Sequence, residues 1–119
     1  MTRPVTFVEI NSPDLERSSA PFSAAFGWEL QPFASPDYLV APGGDGPGID
    51  TALLPARDGV ARVVPVVRVE SLEDTAVQVQ ALGGTVVVEP FTMAGVGRGC
   101  YVVDPAGVLL GLHEYDPDA

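Results

Sequence analysis

Apolar residues in this chain come in short blocks broken by glycine, proline and acidic residues. The first block, Val5-Thr6-Phe7-Val8-Glu9-Ile10, is rich in β-branched and aromatic side chains and predicts a strand over 5–10. The spacing then turns helical. Leu15, Phe22, Ala25 and Phe26 form an apolar stripe, Asp14 stands at an N-cap position and Gly27 at a stop, so a helix is predicted over 15–26. Pro21 removes one backbone hydrogen bond from its middle and is expected to bend or loosen it. Three short strands follow near 28–33, 37–41 and 49–54. Between the last two, Pro42-Gly43-Gly44-Asp45-Gly46-Pro47-Gly48 reads as a loop.

The pattern then starts again. A strand is predicted over 63–69, where Pro65 demands an edge, a bulge or an unpaired position. Ser71 with Asp74 resembles a capping box, and Leu72, Ala76, Val79 and Leu82 form the stripe of a second helix that Gly83-Gly84 stops. Strands near 85–89, 100–104 and 108–115 complete the set, the last two joined by the turn Asp104-Pro105-Ala106-Gly107. The restart is an internal repeat. Asp14-Leu15-Glu16 and Ser71-Leu72-Glu73 lie 57 positions apart, and the same offset sets Gly27 on Gly84. Each copy reads βαβββ, with modules at about 4–55 and 61–116 of a single 119-residue domain. Neither small sheet can bury its faces alone. The expected fold is therefore α+β: two βαβββ modules sharing a core and forming a curved mixed sheet around a cleft.

Composition narrows what such a cleft can meet. The net charge is −10, with six arginines and no lysine, which disfavours nucleic acid and anionic membranes as partners. No stretch is long and apolar enough for a signal peptide or membrane span, so a cytoplasmic location is expected. Cys100 is the single cysteine, which excludes an intrachain disulfide and a Cys-based zinc site.

Taken in order, Phe7-Val8-Glu9-Ile10, Asp14-Leu15-Glu16-Arg17, Phe26-Gly27-Trp28-Glu29, Ala81-Leu82-Gly83-Gly84, Gly95-Val96-Gly97, Asp104-Pro105-Ala106-Gly107 and Leu110-Gly111-Leu112 span nearly the whole chain. This series resembles the vicinal oxygen chelate superfamily of glyoxalase I, bleomycin-resistance proteins and extradiol dioxygenases. The resemblance implies paired βαβββ modules around a ligand cleft, and commonly a homodimer. It also implies where a metal would be held: His, Gln or Glu at the positions of Phe7, Val64 and Gly111, and near Leu54. None of these residues offers a side-chain donor to a divalent ion. With one histidine in the chain, no metal site and no cofactor is expected.

The remaining candidates each admit two readings. Glu9, alone in an apolar strand, is a general base or cation binder if buried, or a cleft-edge carboxylate paired with arginine or water. His113 lies two residues from Gly111, on the same strand face, and is a proton shuttle or a solvated residue of the last strand. Tyr38 and Tyr101, on strands expected to line the cleft, are candidates to stack on a flat ligand, as are Trp28, Phe33 and Tyr115 unless they serve the core. Arg98, on the Gly95–Gly99 hairpin rim, is a candidate for an anionic ligand group. That rim is not a phosphate loop, because a strand follows it and no Gly-Lys-Ser/Thr is present. Glu9 and His113 are thus the catalytic candidates, and Phe7, Tyr38, Val64, Arg98, Tyr101 and Gly111 the ligand-binding ones. Three functions are open: a metal-free protein that sequesters a small organic ligand such as an aromatic metabolite or antibiotic; a metal-independent isomerase, lyase or cyclase; and a divalent-metal glyoxalase- or dioxygenase-like enzyme.

Overall fold

Local sequence accounts for the elements one by one in the computed structural model, which describes residues 2–43 and 48–119. The elements fall in two units, Phe7–Val64 and Met1–Thr6 with Pro65–Ala119. The middle of the glycine-rich loop, residues 44–47, lies outside the described residues.

The first half contains β1 (Val5–Ser12), α1 (Leu15–Phe26), β2 (Gln31–Phe33), β3 (Ser35–Ala41) and β4 (Asp50–Pro55). The strands lie in the order β2-β3-β4-β1, with β1 and β4 parallel and the other pairs antiparallel. Asp14 caps α1 from an extended backbone, its carboxylate accepting from the Arg17 N–H at 3.1 Å. Gly27 ends the helix at φ 68°, where a side chain would be strained. The helix runs unbroken through Pro21. Its apolar stripe, however, is not core: no residue of α1 is buried and Phe26 is 60% exposed. The rings of Phe22, Phe26 and Trp28 pack on one another instead, with centroids 5.3–5.9 Å apart.

The second half contains β5 (Arg62–Val69), α2 (Leu72–Ala81), β6 (Thr85–Met93), β7 (Gly97–Val103) and β8 (Leu109–Tyr115). Here the order is β5-β8-β7-β6, again with the outer pair of the connection, β5 and β8, parallel. One sheet face packs under α2: Val69, Leu72, Cys100, Val102 and Leu112 form a buried cluster flanked by Val67, Val79, Val86 and Leu110. Ser71 Oγ accepts from the Asp74 N–H, and the Leu72 N–H donates to Glu114 Oε2 at 2.8 Å, so the first turn of α2 is satisfied from both helix and sheet. Leu82 departs from the expected stripe: the helix ends at Ala81, and Leu82 is 76% exposed. β6 runs four residues past the expected end at 89. As an outermost strand it tolerates Pro90, and its register slips between Val88 and Phe91.

The repeat is more regular at its start than at its end. β1 and β5 begin at Val5 and Arg62, and the helices at Leu15 and Leu72, each 57 positions apart. The helix stops correspond as Gly27 and Gly83, not Gly84, since Gly83 is the glycine with positive φ after α2. In the last strands the offset becomes 59. Glu9 pairs with Ala52 and its repeat mate Val66 with Gly111, so the counterpart of Gly111 is Ala52 rather than Leu54. Counted from the start of the helix to the last strand, the second half is two residues longer. Among the described residues no helix is long and apolar enough to cross a membrane.

Candidate functional site

Alternation along the strands sorts each sheet into a face toward its helix and a face away from it. In the first half Ser12 hydrogen-bonds Ser18 of α1, which sets the even-numbered residues of β1 toward the helix. Phe7, Glu9 and Asn11 therefore share the other face, beside Asp50, Ala52 and Leu54 of β4. Val40 of β3 pairs with Ala52, so Tyr38 and Val40 lie on this face too. Glu9 is 5% exposed, which selects the buried reading, and a tyrosine is among its partners. The Tyr38 hydroxyl donates to Glu9 Oε2 at 2.7 Å. β3 and β1 are separated by β4, roughly 9–10 Å in all. Tyr38 crosses that gap on a diagonal, since Ala52 pairs with Glu9 on one side and with Val40 on the other and Tyr38 lies two residues along β3 from Val40. A carboxylate and a phenol in direct contact on an otherwise apolar strand make a hydrogen-bonding and proton-handling pair.

The second half carries a different surface on its corresponding face. Register places Phe91, Gly99, His113 and Arg68 in one row across β6, β7, β8 and β5, and Val88, Tyr101, Gly111 and Val66 in the next. The two glycines are floors. A Cβ at Gly99 would lie 3.1 Å from Phe91 Cζ, and one at Gly111 would lie 2.9 Å from Val66 Cγ2 and 3.3 Å from Tyr101 Cε1. Without those carbons the Phe91 and Tyr101 rings lie over the sheet and stack, centroids 6.1 Å apart and planes 22° from parallel.

His113 is not solvated; it is 6% exposed. Its Nε2 lies 3.3 Å from the Val96 carbonyl, and its ring meets Tyr115 edge-on. Burial pushes its pKa below the ordinary 6.5, partly opposed by the Val96 carbonyl, while the nearby Arg68 lowers it further. The imidazole is thus neutral at pH 7 and acts as a proton acceptor or a polar contact. Glu9 belongs to the first unit and His113 to the second.

Other candidates move. Arg98 alternates with Gly99 and lies on the helix side of β7, where its guanidinium pairs with Glu73 of α2. The carboxylate that the rim arginine was expected to draw from a ligand comes from the protein. Val64 is 2% exposed and Phe7 half-buried. Cys100 sits in the core at 1% exposure, and burial first, then Glu89 and Glu73, push its thiol up, so it is no nucleophile. Phe91 was missed because Pro90 hid the end of its strand. Arg68 gave no signal in an apolar run.

No protein-family model matches the sequence, and no curated protein resembles it closely enough to match. Solved structures do. A methylmalonyl-CoA epimerase in complex with methylmalonyl-CoA and NH4+ superposes with a TM-score of 0.66 at 17% identity, covering 97% of this chain and 96% of that one. A hypothetical protein from Bacillus halodurans C-125 gives 0.66 at 14% identity, covering 100% and 99%. The Mn(II)-bound glyoxalase from Novosphingobium aromaticivorans gives 0.63 at 22% identity, with 99% of this chain on 42% of that one. The chain has the vicinal oxygen chelate fold. At these identities the likeness concerns architecture alone, and function rests on the residues.

The resemblance implies a metal held at the positions of Phe7, Val64 and Gly111 and near Leu54, and the register makes Ala52 the first-half counterpart of Gly111. The residues do not fit one. Phe7, Ala52, Leu54 and Val64 are hydrocarbon, and at Gly111 even a Cβ would press on Val66 and Tyr101, so no carboxylate can be carried there without displacing both. Among the described residues no three His, Cys, Asp or Glu side chains group around a common point.

Proposed function

We propose that the protein binds a small, flat organic molecule and that it does so without a divalent metal. The supporting observation is the closure of Val66 and Tyr101 over Gly111: where metal-using relatives of this fold are expected to place a carboxylate, this chain builds an apolar, aromatic surface. Stacked rings over glycine floors offer area at low entropic cost, and His113 of the same unit supplies a polar contact that orients a ligand. Sequestration of an aromatic metabolite or antibiotic is the activity this surface serves best. Equilibrium dialysis against 2-naphthol, an uncharged bicyclic probe, tests it. Stoichiometric binding is expected, with the probe recovered unchanged and affinity at least tenfold weaker in Tyr101→Ala. No saturable binding would refute the reading.

The Tyr38–Glu9 contact favours a second reading, a metal-independent isomerase, lyase or cyclase with Glu9 as base and Tyr38 as its proton partner. Recovery of a converted compound, with conversion abolished in a folded Glu9→Gln variant, would establish it over sequestration.

A further inference from the structure

A cavity of about 390 Å³ opens in the second unit at the Arg68 end of the row that carries Phe91 and His113, and its lining includes Arg3, Pro4, Arg68, Val69, Glu70 and Tyr115. Its size falls within the roughly 300–1,000 Å³ range of small-molecule sites. Two observations give it a chemistry. The first is its charge. Arg3 and Arg68 against Glu70 leave a net +1 in this lining, inside a protein of net charge −10. Glu70 is engaged at the rim by Arg3 at 3.2 Å. The second is the state of Arg68. Its guanidinium stacks over the Tyr115 ring at 4.2 Å, and no carboxylate among the described residues forms an ion pair with it. Arg3, Arg62 and Arg98 each have such a partner. The Arg68 backbone is also fixed, its N–H donating to the Pro4 carbonyl at 2.9 Å.

An arginine stacked on a ring keeps its planar fork of N–H donors directed outward along its edge, the geometry that meets a carboxylate in two parallel hydrogen bonds. The neighbouring His113 adds no competing positive charge, being neutral, and Pro4, Val69 and the Tyr115 ring supply apolar wall beside the charge. We propose that this cavity is a binding site for a small aliphatic monocarboxylate, whose carboxylate is held by Arg68 and whose hydrocarbon part lies against Pro4, Val69 and Tyr115. One negative charge balances the local +1. A phosphate dianion would leave an excess negative charge in an already acidic protein and is disfavoured on that ground.

Its ligand class differs from the flat molecule proposed for the Phe91 and Tyr101 rings, so the two are tested apart. NMR titration of the full-length protein with cyclohexanecarboxylate, which cannot stack on Phe91 or Tyr101 as a flat ring, is expected to shift the Arg68 and Tyr115 signals saturably. Arg68→Ala should weaken the interaction at least tenfold. Arg68→Lys should recover part of it, because the charge returns without the fork, and Arg98→Ala, whose arginine is tied to Glu73, should leave it unchanged. Inorganic phosphate is expected to bind more weakly than the carboxylate. Folding of each variant is checked by its amide spectrum. Absence of saturation, equal weakening by Arg98→Ala, or phosphate binding tighter than the carboxylate would each overturn the assignment.

Discussion

Tyr38 and Glu9 meet across an intervening strand, phenol to carboxylate at 2.7 Å. The contact is made by residues 29 positions apart.

Removing the phenol should show its worth. Tyr38→Phe deletes the donor and leaves a buried carboxylate short of one hydrogen bond, an expected loss of about 1.5–3 kcal/mol in urea unfolding. Ala52→Leu should match or exceed that loss, since Ala52 is 2% exposed beside Glu9 and a larger side chain would overpack there. An Ala52→Leu protein as stable as the parent would mean that Ala52 is not packed as described.

Gly111 should behave as a packed position. Gly111→Ala sets a Cβ 2.9 Å from Val66 Cγ2 and is expected to cost about 1–3 kcal/mol. In a Val66→Ala background the same change should cost less, giving a coupling of about 1 kcal/mol or more in a double-mutant cycle. Additive losses would show that the two residues do not press on each other.

A glycine of another kind stands at position 97. Its φ is +135°, and a Cβ there would collide with the backbone carbonyl of Glu114, which no side-chain motion relieves. Gly97→Ala should therefore cost more than about 3 kcal/mol and yield little folded protein, as circular dichroism would register.

His113 makes stability depend on pH near neutrality. Its folded pKa lies below the ordinary 6.5, so between those values the unfolded chain binds more protons and stability rises with pH. The contribution is complete above about pH 6.5 and is lost as pH falls toward the folded value. The urea midpoint of the parent should drop between pH 7.5 and 5.5, and that drop should shrink in His113→Gln. An unchanged slope would assign the effect elsewhere.

Cys100 offers a chemical check on the core. At 1% exposure and with its thiol pushed up, it should resist iodoacetamide in the native protein and react fully in urea, as mass spectrometry would read.

What the sequence revealed and what it concealed divide along a physical line. Strand and helix starts, caps and the 57-residue repeat were legible because they depend on neighbours in the chain: Asp14 caps as its position suggests, and Val5 and Arg62 open equivalent strands. The sites depend on pairing between distant strands, which local pattern does not encode. Glu9 was read with an arginine or water beside it, and the Tyr38 hydroxyl, 29 positions away and across β4, also meets it. His113 looked like the polar end of a last strand and is buried. Arg98 looked like a rim charge, but one step of alternation puts it on Glu73. The α1 stripe was read correctly as amphipathic, yet Phe26 remains exposed, because amphipathicity predicts a surface and not what covers it.

The closure over Gly111 imposes an order on change. A glutamate introduced at 111 while Val66 stands would be opposed by packing before any benefit of chelation could appear; if Val66 shrinks first, the same substitution meets only the edge of the Tyr101 ring, 3.3 Å from the new Cβ. The pair acts as a ratchet: every mutational route from this chain toward a chelating relative passes through residue 66 before it reaches 111, and single-step searches for a regained metal site would pass it by.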